Sequence, residues 1–200
     1  MIPLGVSSVA GLGYSIFDSG IGRCGIAWGD HGVLSVHLPE TREIETRRRV
    51  LRQFPDAREM RPTLNTEIAI EGIVSLLRGQ PSNLADVVLD MHGIIPFHQR
   101  VYEYVRTIPR GETMTFAELA NRLRVAGAVH AVGQAITRNP FTIIIPCHRV
   151  LAAPGEADGF CAHGGVVSKR RLLSLEGAMT RSGPTLFDAL LSVAPPRLQS

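Results

Sequence analysis

The chain predicts an α/β half followed by a mainly α-helical half. Three observations carry this. Short alternating segments separated by glycine turns fill residues 14–38, apolar residues step at helical intervals beyond Phe97, and the charge changes sign between the halves. The 200 residues are 44% hydrophobic and 20% charged, an ordinary globular composition with enough apolar surface for a sizeable core.

In chain order, Tyr14–Phe17, Cys24–Trp28 and Val33–Leu38 read as strands, with Cys24, Ile26 and Trp28 on one face by the period of two. Residues 42–54 and 64–78 read as helices. In the second, Ile70, Ile73, Val74 and Leu77 form an i, i+3, i+4, i+7 stripe, and Gly79 with Pro81 ends it. Val87–Leu89 reads as a further strand, and His92, Gly93 and Pro96 as a connector, which places a domain boundary near residue 95. Phe97, Val101, Val105 and Ile108 then mark a helix, closed by a turn at Pro109 and Gly111. Thr115 and Glu118 form a capping box that opens a helix to about Val125. Gly127 breaks it, and a second short helix, 128–137, carries small residues at Ala128, Ala131, Gly133 and Ala135. The pair is either a helix-turn-helix or a plain αα-hairpin. Asn139-Pro140 is a turn, Phe141–Ile145 an apolar β-branched run expected to be a buried strand, and Pro146 its end.

Net charge adds a direction. Residues 1–97 hold 9 Arg against 11 carboxylates, whereas residues 98–200 hold 12 Lys/Arg against 7. The basic second half points to a polyanionic partner, and 20 of the 21 cations are Arg, the residue suited to phosphate and base edges. No apolar run is long enough to span a membrane and the N-terminus lacks the pattern of a signal peptide, so a cytoplasmic protein is expected. Three cysteines, Cys24, Cys147 and Cys161, argue against a disulfide framework.

The chemistry concentrates after Pro146. A cysteine at the end of a rigid segment, followed by His148 and Arg149, suits thiolate chemistry: imidazole takes the thiol proton and cations stabilise the anion. The competing reading is a buried structural cysteine. Cys147, His148, Cys161 and His163 also form a Cys/His set, as do Cys24, His31, His37 and His92, but neither has the spacing of a zinc site, so no metal and no cofactor is expected.

Ile145-Pro-Cys-His-Arg-Val150, preceded by Ala131-Val-Gly133 and Asn139-Pro140, resembles the O6-alkylguanine-DNA alkyltransferases. The likeness runs from about Leu89 to Gly177 and includes Ile108-Pro-x-Gly111, the helix start at Thr115–Ala120, and Lys169-x-x-Leu-Leu173-x-x-Glu-Gly177. The resemblance implies an α/β N-terminal domain over 1–95, a mainly α domain with a winged-helix-like helix-turn-helix over 96–178, and an extension over 179–200, where Leu186–Val193 would add a packed helix. It implies single-turnover transfer of an alkyl group from O6 of a flipped-out guanine in double-stranded DNA, with O4 of thymine a second candidate. Cys147 would be the acceptor, His148 a base acting through water, and Glu176 the group orienting His148. Arg149 would tie the segment to the domain, and Asn139 would join it to the helix-turn-helix. Helix 128–137, with Ala128, His130, Ala131 and Gly133, would enter the minor groove of a DNA bound by a monomer, and Phe116, Phe160 and Lys169 would border the substrate.

Three positions depart from the family pattern. His130 stands where the family places an intercalating Arg, and Phe116 and Phe160 stand where it places Tyr. The loop from Phe160 to Lys169, which contains Cys161 and His163, is two residues longer. These changes leave acceptor chemistry intact but bear on duplex affinity and leaving-group protonation. The alternative function is therefore a relative that binds alkylated nucleic acid, or takes alkyl groups from another substrate, with weak duplex repair.

Overall fold

The computed structural model describes residues 11–152 and 169–178. Strands β1 (Gly13–Asp18), β2 (Arg23–Gly29) and β3 (Gly32–His37) form an antiparallel meander, with Ser15 opposite Ile26 and Ile26 opposite Val36. Gly22 (φ +132°), in the β1–β2 connection, and Gly32 (φ +132°), the first residue of β3, adopt a positive φ that L side chains disfavour. After α1 (Glu43–Gln53), the two-residue β4 (Arg58–Glu59) joins β1 in parallel, giving the order β3-β2-β1-β4.

Strand β2 is buried on both faces. Cys24, Ile26 and Trp28 point into the main core, as the period of two predicts. On the other face α1 lies so close that a Cβ at Gly25 would come within 2.7 Å of Val50 Cγ2. The second helix, α2 (Leu64–Leu77), starts at the cap Thr63 and buries Ala69, Ile73, Leu76 and Leu77. The expected strand at Val87–Leu89 is only a single bridge, Val33 to Leu89. Gly32 lets Val88 approach so closely that a Cβ there would stand 2.5 Å from the Val88 carbonyl oxygen.

The second half contains α3 (Pro96–Arg106), β5 (Met114–Thr115), α4 (Phe116–Arg122), a 3-10 turn at Ala126–Ala128, α5 (Val129–Thr137), a second 3-10 turn at Cys147–Arg149, β6 (Val150–Leu151) and α6 (Lys169–Glu176). The capping box at Thr115 is formed: its hydroxyl accepts from Glu118 N at 3.1 Å, and Glu118 Oε2 accepts from Thr115 N at 2.7 Å. Helix α4 is shorter than the periodicity suggested, because the turn of residues 123–128 begins at Leu123. The fold is thus a small sheet with helices followed by a mainly helical half.

One hydrophobic core runs through both halves, with Ile26, Val33 and Val36 in the same cluster as Val101, Tyr102, Val132 and Phe141. The sheet edge is also bonded directly to the second half: Val36 N donates to Pro140 O at 2.8 Å. Among the described residues no helix is long and apolar enough to cross a membrane.

Candidate functional site

The run Phe141–Ile145 is a closed turn rather than the expected strand. Asn139 explains this. Its side-chain oxygen accepts from Phe141 N at 2.9 Å, and its amide nitrogen donates to Ile145 O at 3.1 Å. Ile145 N donates in turn to Phe141 O at 2.9 Å, and Ile143 adopts φ +75°. A β-branched residue in that region is strained by roughly 1–3 kcal/mol. Asn139 is buried, so its two hydrogen bonds hold the turn against that strain.

The turn delivers Cys147 at the head of the 3-10 turn Cys147–Arg149, fully buried. His148 follows, also fully buried. Its Nε2 lies 2.9 Å from Glu176 Oε1. Arg149 donates from Nε to Glu176 Oε2 at 2.8 Å, from Nη2 to Oε1 at 2.7 Å, and from Nη1 to Ile108 O at 2.5 Å. Helix α6, which carries Glu176, is held in place by Arg110, whose Nη2 donates to Leu175 O at 2.8 Å and to Gly79 O at 2.6 Å. At its other end Lys169 Nζ donates to Val150 O and sits 5.8 Å from the centre of the Phe116 ring. The parallel pair β5–β6 sets Thr115 beside Leu151 and so brings the start of α4 to the same place.

The electrostatics follow from burial. Desolvation lowers the proton affinity of His148, opposed by Glu176 and reinforced by Arg149 and Lys169, so the ring is neutral near pH 7. Burial alone would raise the Glu176 carboxyl, but hydrogen bonds from His148 and Arg149 outweigh it and bring the group down to about 2. A carboxylate facing Nε2 fixes the proton on that nitrogen. Nδ1 is then the basic atom, and it is buried with no hydrogen-bond partner among the described residues.

Helix α5 buries Val132, Ala135 and Ile136 and turns His130 and Gln134 outward. His130 Nε2 lies 3.1 Å from Gln134 Nε2, so the amide donates to the ring. A Cβ at Gly133 would meet nothing within 4 Å, and the same holds at Gly127, so this side of the helix-turn-helix is open. Ala128 caps α5 and Ala131 is half-buried in its first turn.

Tyr102 is a site residue that the sequence pattern does not single out. Its hydroxyl donates to Ala135 O at 2.9 Å and its ring meets Phe141 edge-on at 6.4 Å, tying α3 to α5 and to the turn. Burial, with Cys147 nearby, pushes this hydroxyl well above its usual range. Its only signal in the sequence is a polar tip next to Val101 on the buried stripe.

Phe160, Cys161, His163 and the stretch 186–193 lie outside the described residues. The second Cys/His set is not brought together. Cys24 donates to Ser19 Oγ at 3.2 Å, and burial pushes its thiol up to about 11. His37 bonds Ser35 at 3.0 Å, and burial lowers it to about 4. His31 instead stacks on His92, with 4.6 Å between ring centres.

Residues 96–178 match the family model described as 6-O-methylguanine DNA methyltransferase, DNA binding domain. The chain is 34% identical over 153 residues to a methylated-DNA–protein-cysteine methyltransferase of Methanothermobacter thermautotrophicus, covering 76% of this chain and 78% of the relative. It is 46% identical over 103 residues to the protein of that name from Mycobacterium bovis, covering 52% of this chain and 61% of the relative. The crystal structure of Mycobacterium tuberculosis OGT in complex with DNA superposes with a TM-score of 0.60 at 31% identity, covering 83% of this chain and 94% of that one. The chain therefore belongs to the methylated-DNA–protein-cysteine methyltransferases, DNA-binding repair proteins that move an alkyl group onto a cysteine of their own.

Proposed function

We propose that Cys147 is the acceptor and that the protein acts once per molecule on O6-alkylguanine in double-stranded DNA. The observation that carries this reading is the buried Nδ1 of His148, without a hydrogen-bond partner among the described residues and with Nε2 committed to Glu176, on the residue next to Cys147. The thiol proton passes through one water to Nδ1, and the Glu176 carboxylate stabilises the imidazolium that forms. The thiolate sulfur bonds to the alkyl carbon, the bond from that carbon to O6 breaks, and the departing guanine takes up a proton. The thioether has no route back to the thiol, so each molecule is consumed.

Arg149 holds the Cys147 segment to Glu176 and Ile108, and Asn139 joins it to α5. Helix α5 enters the minor groove, where Ala128, Ala131 and Gly133 permit close approach and His130 fills the gap left by the flipped base. Phe116, Phe160 and Lys169 border the base. The division into 1–95, 96–178 and 179–200, the monomeric state and a cytoplasmic location complete the reading.

Mass spectrometry after mixing with an oligonucleotide carrying O6-methylguanine tests it. One methyl on the peptide containing Cys147 is the expected result. Unmodified protein that still binds the oligonucleotide selects the alternative, a relative that recognises alkylated DNA without repairing it. That alternative draws on His130 and on the missing hydroxyl at Phe116.

A further inference from the structure

The outward row of α5 does not stop at the helix end. His130, Gln134 and Arg138 follow at intervals of four, and all three are exposed. Arg138 stands about 12 Å beyond His130 along the axis, at roughly 1.5 Å per residue. It opens onto a cavity of about 160 Å³ between the two halves of the chain, lined by His37, Arg49, Gln53, Arg138, Asn139 and Thr142.

The chemistry of this lining favours an anion. Two guanidiniums, the Gln53 amide and the Thr142 hydroxyl offer donors, and His37 is held neutral by burial and by Arg49. The Glu40 carboxylate pairs with Arg49 at this lining. Arg52 lies one turn beyond Arg49 on α1, on the same side of the helix. Neither Arg52 nor Arg138 forms an ion pair among the described residues.

We propose that Arg138, Arg52 and this cavity form a second contact for DNA, in which each of the two arginines grips its own backbone phosphate of the duplex flanking the lesion. The site belongs to the N-terminal half as much as to the helix-turn-helix. It rests on α5 being the DNA-facing helix, because the row running from His130 to Arg138 is what leads the duplex to it. The ligand is a phosphodiester rather than a free anion: a cavity at the end of that row, flanked by Arg52 on the outside of α1, suits a continuous chain of phosphates.

The test is the salt dependence of duplex binding for Arg52→Gln, Arg138→Gln and the double variant. A duplex carrying one O6-methylguanine and extending a full helical turn to either side is the probe. Removal of each Arg–phosphate pair should lower the slope of log K against log[salt] by about 0.9, so the double variant should fall by about 1.8, with equal weakening across sequences. Arg58→Gln, on strand β4 at the opposite edge of the sheet, should keep the wild-type slope. A double variant with the wild-type slope and unchanged thermal midpoint overturns the proposal. So does an Arg58 variant whose slope falls as much. A cavity that takes inorganic phosphate while the double variant keeps the wild-type duplex slope overturns the assignment to DNA. Transfer by the wild-type protein from a free O6-alkylguanine base, which carries no phosphate, tests the Cys147 reading separately.

Discussion

Glu176→Gln separates the two duties of the buried carboxylate. Glu176 accepts three hydrogen bonds, one from His148 and two from Arg149. Glutamine keeps one acceptor oxygen but turns an NH2 group toward a donor, and it leaves the Arg149 guanidinium facing a neutral amide instead of a carboxylate. Breaking a buried pair costs about 3–5 kcal/mol, and the retained oxygen puts this variant near the lower end, about 3 kcal/mol. For a chain of this size that is a drop of roughly 6–12 °C in the thermal midpoint.

Chemically, the carboxylate supports the proton affinity of His148 against burial. Its loss weakens the base, and single-turnover transfer at pH 7 should fall by about 10²-fold, part of the 10²–10⁴ that a positioned base supplies. With His148 weakened further as a base, the acid limb of the rate profile should move to lower pH. Transfer from a free O6-alkylguanine base, followed from about pH 6 to 9, reads this without interference from DNA binding. Acid unfolding gives a second readout. The folded carboxyl is depressed to about 2, so its stabilisation is fully present above the unfolded value of about 4.3 and is lost as pH falls through 2. The glutamine variant should lack that portion of the acid dependence. A variant as fast as wild type at every pH would remove Glu176 from the mechanism, and a deficit independent of pH would reduce it to a structural prop.

Three further outcomes are expected. Cys147→Ser should lose transfer while keeping duplex affinity, because a His–Glu pair does not ionise a hydroxyl as it does a thiol; continued one-turnover transfer would move the acceptor elsewhere, with Cys161 the first place to look. Asn139→Ala leaves Phe141 N without its partner and opens the strained turn at Ile143, so denaturant unfolding should show a loss of about 2–4 kcal/mol, with slower transfer; stability equal to wild type would mean that the turn holds itself. His130→Arg should tighten duplex binding and speed transfer from duplex more than from a free O6-alkylguanine base, because the longer Arg fills the gap more fully and carries a charge that contacts phosphate; an Arg variant no better than wild type on duplex would show that His130 does not fill the gap.

Much of the architecture is legible in the sequence, for identifiable reasons. The meander and α2 follow from periodicity and glycine punctuation, and the start of α4 from a capping box with a local mechanism. The two-residue strands β4, β5 and β6 are too short for any period to mark them. Phe141–Ile145 misleads because β-branched residues ordinarily favour strands. One buried side chain, Asn139, supplies the bonds that a neighbouring strand would have made. At the candidate site, Cys147 and His148 are conspicuous as neighbours, whereas Glu176 came from resemblance alone. Its pairing depends on Arg110 and Arg149 carrying α6 across 27 residues of sequence, which no local pattern encodes.

The bond from Val36 to Pro140 has a consequence for how the molecule opens. The amide of Val36, in the N-terminal sheet, is protected from solvent exchange only while the backbone just ahead of the Asn139 turn stays in place. Its hydrogen-exchange rate is therefore a remote reporter on the catalytic half, and an alkyl group added at Cys147 that loosens the turn should register as faster exchange on β3. The same bond predicts that 96–178 excised alone exposes the surface of Phe141 that β3 covers, so the two halves unfold as one cooperative unit.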